Sequence, residues 1–127
     1  MPTVIVVDDH EAMRESIVAV LAFYEQIEVL AQAADGDSAL AAARQHSPEL
    51  VVLDALTNED DHGADVCASL KQMLPQVKII AHTSYAPDQP EVRAMFDAGA
   101  DTYVDKNQGA NALARRILEL TSAQDEG

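Results

Sequence analysis

The sequence predicts an α/β fold: a doubly wound sheet of five parallel strands with helices on both faces. Three observations point to it. Five strand-like segments alternate with five helix-like ones from end to end, and strict alternation implies parallel strands joined by helical crossovers. The first, third and fourth strand-like segments are nearly continuous apolar runs, such as Val4-Ile5-Val6-Val7, as strands buried on both faces require. The second and fifth are interrupted by Glu28, Gln32, Asp101 and Asp105, which suits them to the two edges.

The strands are expected over Thr3–Asp8, Glu28–Ala33, Leu50–Asp54, Val77–Thr83 and Asp101–Asp105. With polar segments at the edges, they are compatible with the flavodoxin-like order 2-1-3-4-5. The first helix spans Glu11–Tyr24, where Met13, Ile17, Val20, Leu21 and Tyr24 share one face at helical spacing. The second opens near Asp37, after the Asp35-Gly36 turn, and ends before Pro48. The third runs from about Gly63 to Leu74, turns Val66, Leu70, Met73 and Leu74 inward, and is stopped by Pro75. The fourth begins at Gln89-Pro90, where a proline suits the first turn, and closes at Gly99. The fifth covers about Gly109 to Thr121, with Leu113, Ile117 and Leu120 on one face. Residues 1–121 read as one domain and 122–127 as a polar tail. Met13, Met73 and Met95 fall on helix faces as core filler.

Composition narrows the function. A chain of 127 residues with 48% apolar content holds one hydrophobic core. Its 22 acidic residues against 8 Lys and Arg give a net charge of −14. Such a surface repels nucleic acid and anionic membranes, so any DNA contact falls to another domain or polypeptide. The longest apolar runs are strand-sized, and Met1-Pro2-Thr3 enters a strand without the features of a signal peptide. Cys67 is the sole cysteine, so no internal disulfide forms. These features set a cytoplasmic expectation.

In a doubly wound sheet, ligands bind beyond the carboxyl ends of the strands where the order reverses. The first strand ends in Asp8-Asp9 and the third in Asp54; the fourth ends in Thr83, and the fifth runs into Lys106. Three carboxylates, a hydroxyl and an ammonium therefore converge on one crevice. Clustered carboxylates stay ionised only when a cation offsets them. Mg²⁺ suits the task, because it prefers oxygen ligands and keeps exchangeable waters. A carboxylate can attack phosphorus to give an aspartyl phosphate, while lysine and threonine can pair with phosphoryl oxygens.

With these residues in place, the sequence resembles the receiver domains of bacterial two-component response regulators, from Val4 to about Leu120. Val4-Ile5-Val6-Val7-Asp8-Asp9-His10 looks like the family's opening strand and acidic pair. Ala33-Ala34-Asp35-Gly36 with Ala39-Leu40 resembles its approach to the second helix. Phe96-Asp97-Ala98-Gly99-Ala100-Asp101 and Tyr103-Val104-Asp105-Lys106 resemble its closing segment. The opening and the Gly-Ala-Asp stretch look most like the NarL/LuxR-type subgroup, whose receivers usually precede a helix-turn-helix domain.

The resemblance implies that Asp54 accepts a phosphoryl group from a histidine kinase or phosphotransfer protein. Asp8, Asp9 and Asp54 would hold Mg²⁺ with the backbone carbonyl of Leu56, and Lys106 would pair with the phosphate. Thr83 would then bond it and Tyr103 would swing inward, passing the signal to an output domain or partner. The family also implies a homodimer face along the fourth helix, fifth strand and fifth helix. The resemblance thus implies a signalling switch rather than an enzyme with a separate substrate, with self-phosphorylation and slow dephosphorylation as its only chemistry.

The segment after Asp54 departs from the family pattern. Ala55-Leu56-Thr57-Asn58-Glu59-Asp60-Asp61-His62-Gly63 lacks the usual proline, and its glycine arrives one residue later than usual. Glu59, Asp60 and Asp61 read as a solvated loop. Leu56 and Tyr85, flanking the expected phosphate, would hinder an attacking water, so Leu56→Asn would speed phosphate loss. The loop leaves room for an alternative, a phosphate-independent receiver acting as a docking module. A haloacid-dehalogenase-like phosphatase is disfavoured, because Leu56 stands where such enzymes place a second acid. His10 and His62 are expected solvated at the crevice rim, His82 half-buried and satisfied, and His46 exposed.

Overall fold

The computed structural model describes residues 1–56 and 62–125. In chain order the elements are β1 (Thr3–Val7), α1 (Glu11–Leu21), β2 (Glu28–Ala33), α2 (Gly36–His46), β3 (Leu50–Leu53) and α3 (Gly63–Met73). They continue with β4 (Lys78–Thr83), α4 (Pro90–Asp97), β5 (Thr102–Asp105), one 3₁₀ turn (Lys106–Gln108) and α5 (Ala110–Asp125). The strands form one sheet in the order β2-β1-β3-β4-β5, with every neighbouring pair parallel. This is the expected architecture.

Alternation along the strands explains the two cores. Ile5, Val7, Val51, Leu53, Ile79 and Ala81 face α2, α3 and α4, where Ala43, Leu70 and Met95 meet them. Val4, Val6, Leu50, Val52 and Ile80 face α1 and α5, against Ile17, Leu21, Leu113 and Ile117. Successive side chains point to opposite faces, and both faces are covered, so the inner strands must be apolar throughout. β2 lies at an edge and leaves Glu28 and Gln32 exposed.

The boundaries differ from expectation where tertiary contacts decide them. α1 stops at Leu21, and the Phe23 and Tyr24 N–H groups instead donate to the Val20 and Leu21 carbonyls at 3.1 and 3.0 Å. That tightened turn satisfies the helix end. Tyr24 still packs on the core, and its hydroxyl donates to Asn111 Oδ1 at 2.8 Å. Met13 is not core filler: it is 38% exposed. Met95 is buried and Met73 packs at the core margin.

Asp101 lies just outside β5 and acts as a clasp. One of its carboxylate oxygens accepts from Ile79 N–H at 2.8 Å and from Lys71 Nζ at 2.9 Å. α5 continues to Asp125 rather than ending at Thr121, so most of the expected tail is helical. Thr121 is accommodated because its hydroxyl donates to the Ile117 carbonyl at 2.8 Å. Glu59, Asp60, Asp61 and residues 126–127 lie outside the described residues. Among the described residues, no helix is long and apolar enough to cross a membrane.

Candidate functional site

Parallel pairing brings the carboxyl ends of β1 and β3 side by side at the centre of the sheet, where the order reverses. The ladder holds both acids that follow. Asp8 N–H donates to the Ala33 carbonyl and Asp54 N–H to the Val7 carbonyl, each at 3.0 Å. The two carboxylates therefore sit at fixed positions on the rim.

Lys106, on the 3₁₀ turn after β5, bridges them. Its Nζ lies 2.7 Å from Asp8 Oδ2 and 2.8 Å from Asp54 Oδ1. All three side chains are largely out of water, at 10%, 1% and 12% exposure for Lys106, Asp8 and Asp54. Burial pulls the Lys106 pKa down, but hydrogen bonding and attraction from Asp54 and Asp8 outweigh it and hold the ammonium above its ordinary value. Asp8 Oδ1 accepts from His10 N–H at 2.9 Å, and Asp54 Oδ2 from Leu56 N–H at 3.1 Å.

Asp9 completes the acidic group and is more open, with a third of its side chain exposed. His10 is exposed at the rim, as expected, with 76% of its side chain in solvent, and its Nδ1 lies 3.2 Å from Asp9 Oδ1 and 3.5 Å from Asp8 Oδ1. Asp8, Asp9 and His10 each present one ligand atom within 4.8 Å of the others. Adjacency to the acidic pair was the available signal for His10. Asp8 and Asp54 share the Lys106 ammonium, and Asp9 joins Asp8 and His10 in a group that does not include Asp54, which leaves an excess of negative charge among mostly oxygen donors. That donor set fits a hard divalent cation such as Mg²⁺. An open cleft of about 670 Å³ adjoins it, lined by His10, Met13, Ser84, Lys106 and Asn107 among others.

Thr83 ends β4, buried, with its Oγ1 accepting from Tyr85 N–H at 3.2 Å. Tyr103, on β5, donates its hydroxyl to the Tyr85 carbonyl at 2.6 Å. Both expected switch residues thus contact the same segment after β4. Burial, and then the Asp105 charge, push the Tyr103 phenol above its ordinary pKa. His82 departs from expectation: it is buried, and its Nε2 has no hydrogen-bond partner among the described residues. His46 is half-buried rather than exposed, and His62 is exposed at the start of α3. Cys67 is buried, which pushes its thiol up to about 11 and leaves it protonated and unreactive.

Leu56 requires a correction. Its backbone is left-handed, with φ +48°, and its side chain is fully buried in the core on the α2–α4 side of the sheet. A side chain held there cannot screen a phosphoryl group from water. Leu56→Asn would instead bury an amide in apolar surroundings and lose packing, at a cost of about 2–4 kcal/mol. A urea titration checks this, and a midpoint equal to that of the parent would refute it. The late glycine also has a purpose. A Cβ on Gly63 would lie 2.7 Å from the Ala55 carbonyl oxygen and 2.9 Å from that of Asp54, so α3 starts hard against the strand end that carries Asp54.

Residues 4–118 match the family described as the response regulator receiver domain. Over 121 residues the chain is 38% identical to the response regulator protein VraR of Staphylococcus aureus (strain Mu3), covering 95% of this chain and 57% of that protein. It thus spans little more than half the length of the curated relatives it matches. A CheY-like response regulator receiver domain protein from Methanospirillum hungatei JF-1 superposes with a TM-score of 0.86 at 27% identity, covering 100% of this chain and 99% of that one. A LuxR-family two-component response regulator from Aurantimonas sp. SI85-9A1 also gives 0.86, at 25% identity, covering 97% of this chain and 86% of that one.

Proposed function

The chain belongs to the response regulator receiver domain family, and on that premise we propose that it is a phosphoacceptor switch with Asp54 as the acceptor. The observation that carries this reading is the Lys106 ammonium lodged between the buried Asp8 and Asp54 carboxylates at the carboxyl ends of the strands. In the proposed reaction an Asp54 carboxylate oxygen attacks phosphorus. The new O–P bond replaces the bond to the donor, a phosphohistidine of a kinase or phosphotransfer protein, whose imidazole leaves. Lys106 then exchanges part of its contact with Asp54 for a phosphoryl oxygen, and Thr83 releases the Tyr85 N–H to donate its hydroxyl to another. Tyr103, tied to the same Tyr85 segment, moves with it and alters the α4–β5–α5 surface.

Asp8, Asp9, Asp54 and the Leu56 carbonyl are the groups that would hold Mg²⁺. When bound, the ion supplies positive charge against the phosphoryl oxygens. An output domain, or a second copy through the α4–β5–α5 face, receives the signal in this reading. Intact-mass spectrometry after incubation with acetyl phosphate tests it, with and without Mg²⁺. One phosphoryl adduct that requires Mg²⁺ and disappears in Asp54→Ala is expected. A folded parent protein that takes no adduct from excess donor would overturn it in favour of a phosphate-independent docking module.

A further inference from the structure

Asp8 is tied down at four polar atoms. Its N–H is held by the Ala33 carbonyl of β2, its Oδ1 by His10 N–H and its Oδ2 by Lys106. The fourth atom, the carbonyl oxygen, accepts from Nη1 of Arg14 at 2.8 Å. Arg14 is itself held from the far side, because its Nε donates to Gln32 Oε1 on the edge strand at 2.9 Å. One guanidinium thus joins α1, the end of β1 and the edge strand β2.

The Asp8 carbonyl belongs to the planar peptide that joins Asp8 to Asp9. Fixing that oxygen fixes the peptide plane, and with it the direction in which Asp9 leaves the strand. Asp9 is the acid in the group most exposed to solvent, so its own packing constrains it least. An arginine suits the work because its rigid fork sends two N–H groups to acceptors on different elements, which a lysine's single ammonium on a flexible stem does not reproduce. From this geometry we infer that Arg14, braced by Gln32, is a positioning residue that orients Asp9 for cation binding, so that an exposed edge-strand side chain tunes the metal affinity of the pocket. The inference rests on the reading of Asp8, Asp9 and Asp54 as a Mg²⁺ site.

Calorimetric titration of the full chain with Mg²⁺ tests it, with thermal melts of every variant alongside. Asp9→Ala is expected to abolish Mg²⁺ binding. Arg14→Lys, which keeps the charge but loses the fork, is expected to weaken binding about tenfold, the usual scale for groups that orient metal ligands. Gln32→Ala, a change at an exposed edge-strand residue that is not one of the cation-holding groups, is expected to weaken it about threefold. The double variant is expected to match Arg14→Lys alone, because both changes cut the same tie. Parent-like Mg²⁺ affinity in Arg14→Lys and Gln32→Ala, with Asp9→Ala still inactive, would overturn the positioning role and leave the cation site standing. A parent protein that binds no Mg²⁺ would overturn both.

Discussion

Gly63→Ala is expected to lower stability by about 2–3 kcal/mol, the upper part of the range for overpacking a closed site. The three described atoms nearest the new Cβ would all be backbone: the Ala55 carbonyl oxygen at 2.7 Å, and Ala55 Cα and the Asp54 carbonyl oxygen at 2.9 Å. A flexible side chain would yield at little cost, but these atoms belong to the strand end. Either α3 shifts away or the Asp54–Ala55 segment does. A domain of this size loses roughly 3–5 °C in Tm per kcal/mol, so a drop of roughly 6–15 °C is expected by thermal melt. Because Asp54 lies on the moving segment, phosphorylation by acetyl phosphate is expected to slow as well. A Tm within about 2 °C of the parent would show that the approach is looser than the geometry states.

His82→Leu is expected to have its largest effect in acid. His82 is buried, with Nε2 unpartnered among the described residues. Burial first, and then the Lys106 ammonium, push its pKa down from 6.5 to about 4, against smaller opposing effects of Asp8 and Asp105. The depressed value fixes the sign. Above pH 6.5 the ring is neutral in both states, and its titration takes nothing from stability. As pH falls from 6.5 toward 4 the unfolded chain gains a proton that the folded chain refuses, and stability is lost. The gap between 6.5 and about 4 corresponds to about 3 kcal/mol at 1.36 kcal/mol per pH unit.

Leucine at this position carries no titrating group, and also removes an orphaned ring nitrogen, a gain of about 1 kcal/mol at neutral pH. Urea titrations at pH 7, 5.5 and 4 are therefore expected to show the variant's advantage widening by about 3 kcal/mol toward acid. The surrounding carboxylates titrate in both proteins and largely cancel in the difference. A constant difference across that range would mean that His82 already takes up its proton in the folded state.

Much of this was legible in one dimension because it depends on local pattern. Runs such as Leu50–Leu53 are apolar at every position, which only a strand covered on both faces requires, whereas Glu28 and Gln32 mark a strand with one open side. That Asp8, Asp54 and Lys106 meet was legible because each follows the end of its own strand, and parallel strands deliver their ends to one edge. What misled was geometry that depends on distant partners. Met13 keeps helical spacing with Ile17, yet it stays exposed while Ile17 is buried. Leu56 follows Asp54 closely in sequence, yet a left-handed φ turns its side chain into the core.

The architecture and the likeness to receiver domains can be read from the chain alone, since periodicity and residue chemistry are properties of short segments. How the acidic residues are held is a matter of the folded arrangement. The Lys106 bridge joins residues far apart in the chain, and the Arg14–Gln32 tie crosses from α1 to the edge strand. His82 at the end of β4 loses its water through packing that its own stretch of sequence does not specify. Hydrogen-bond partners and desolvation are set by which segments meet in space, and no local pattern carries that information.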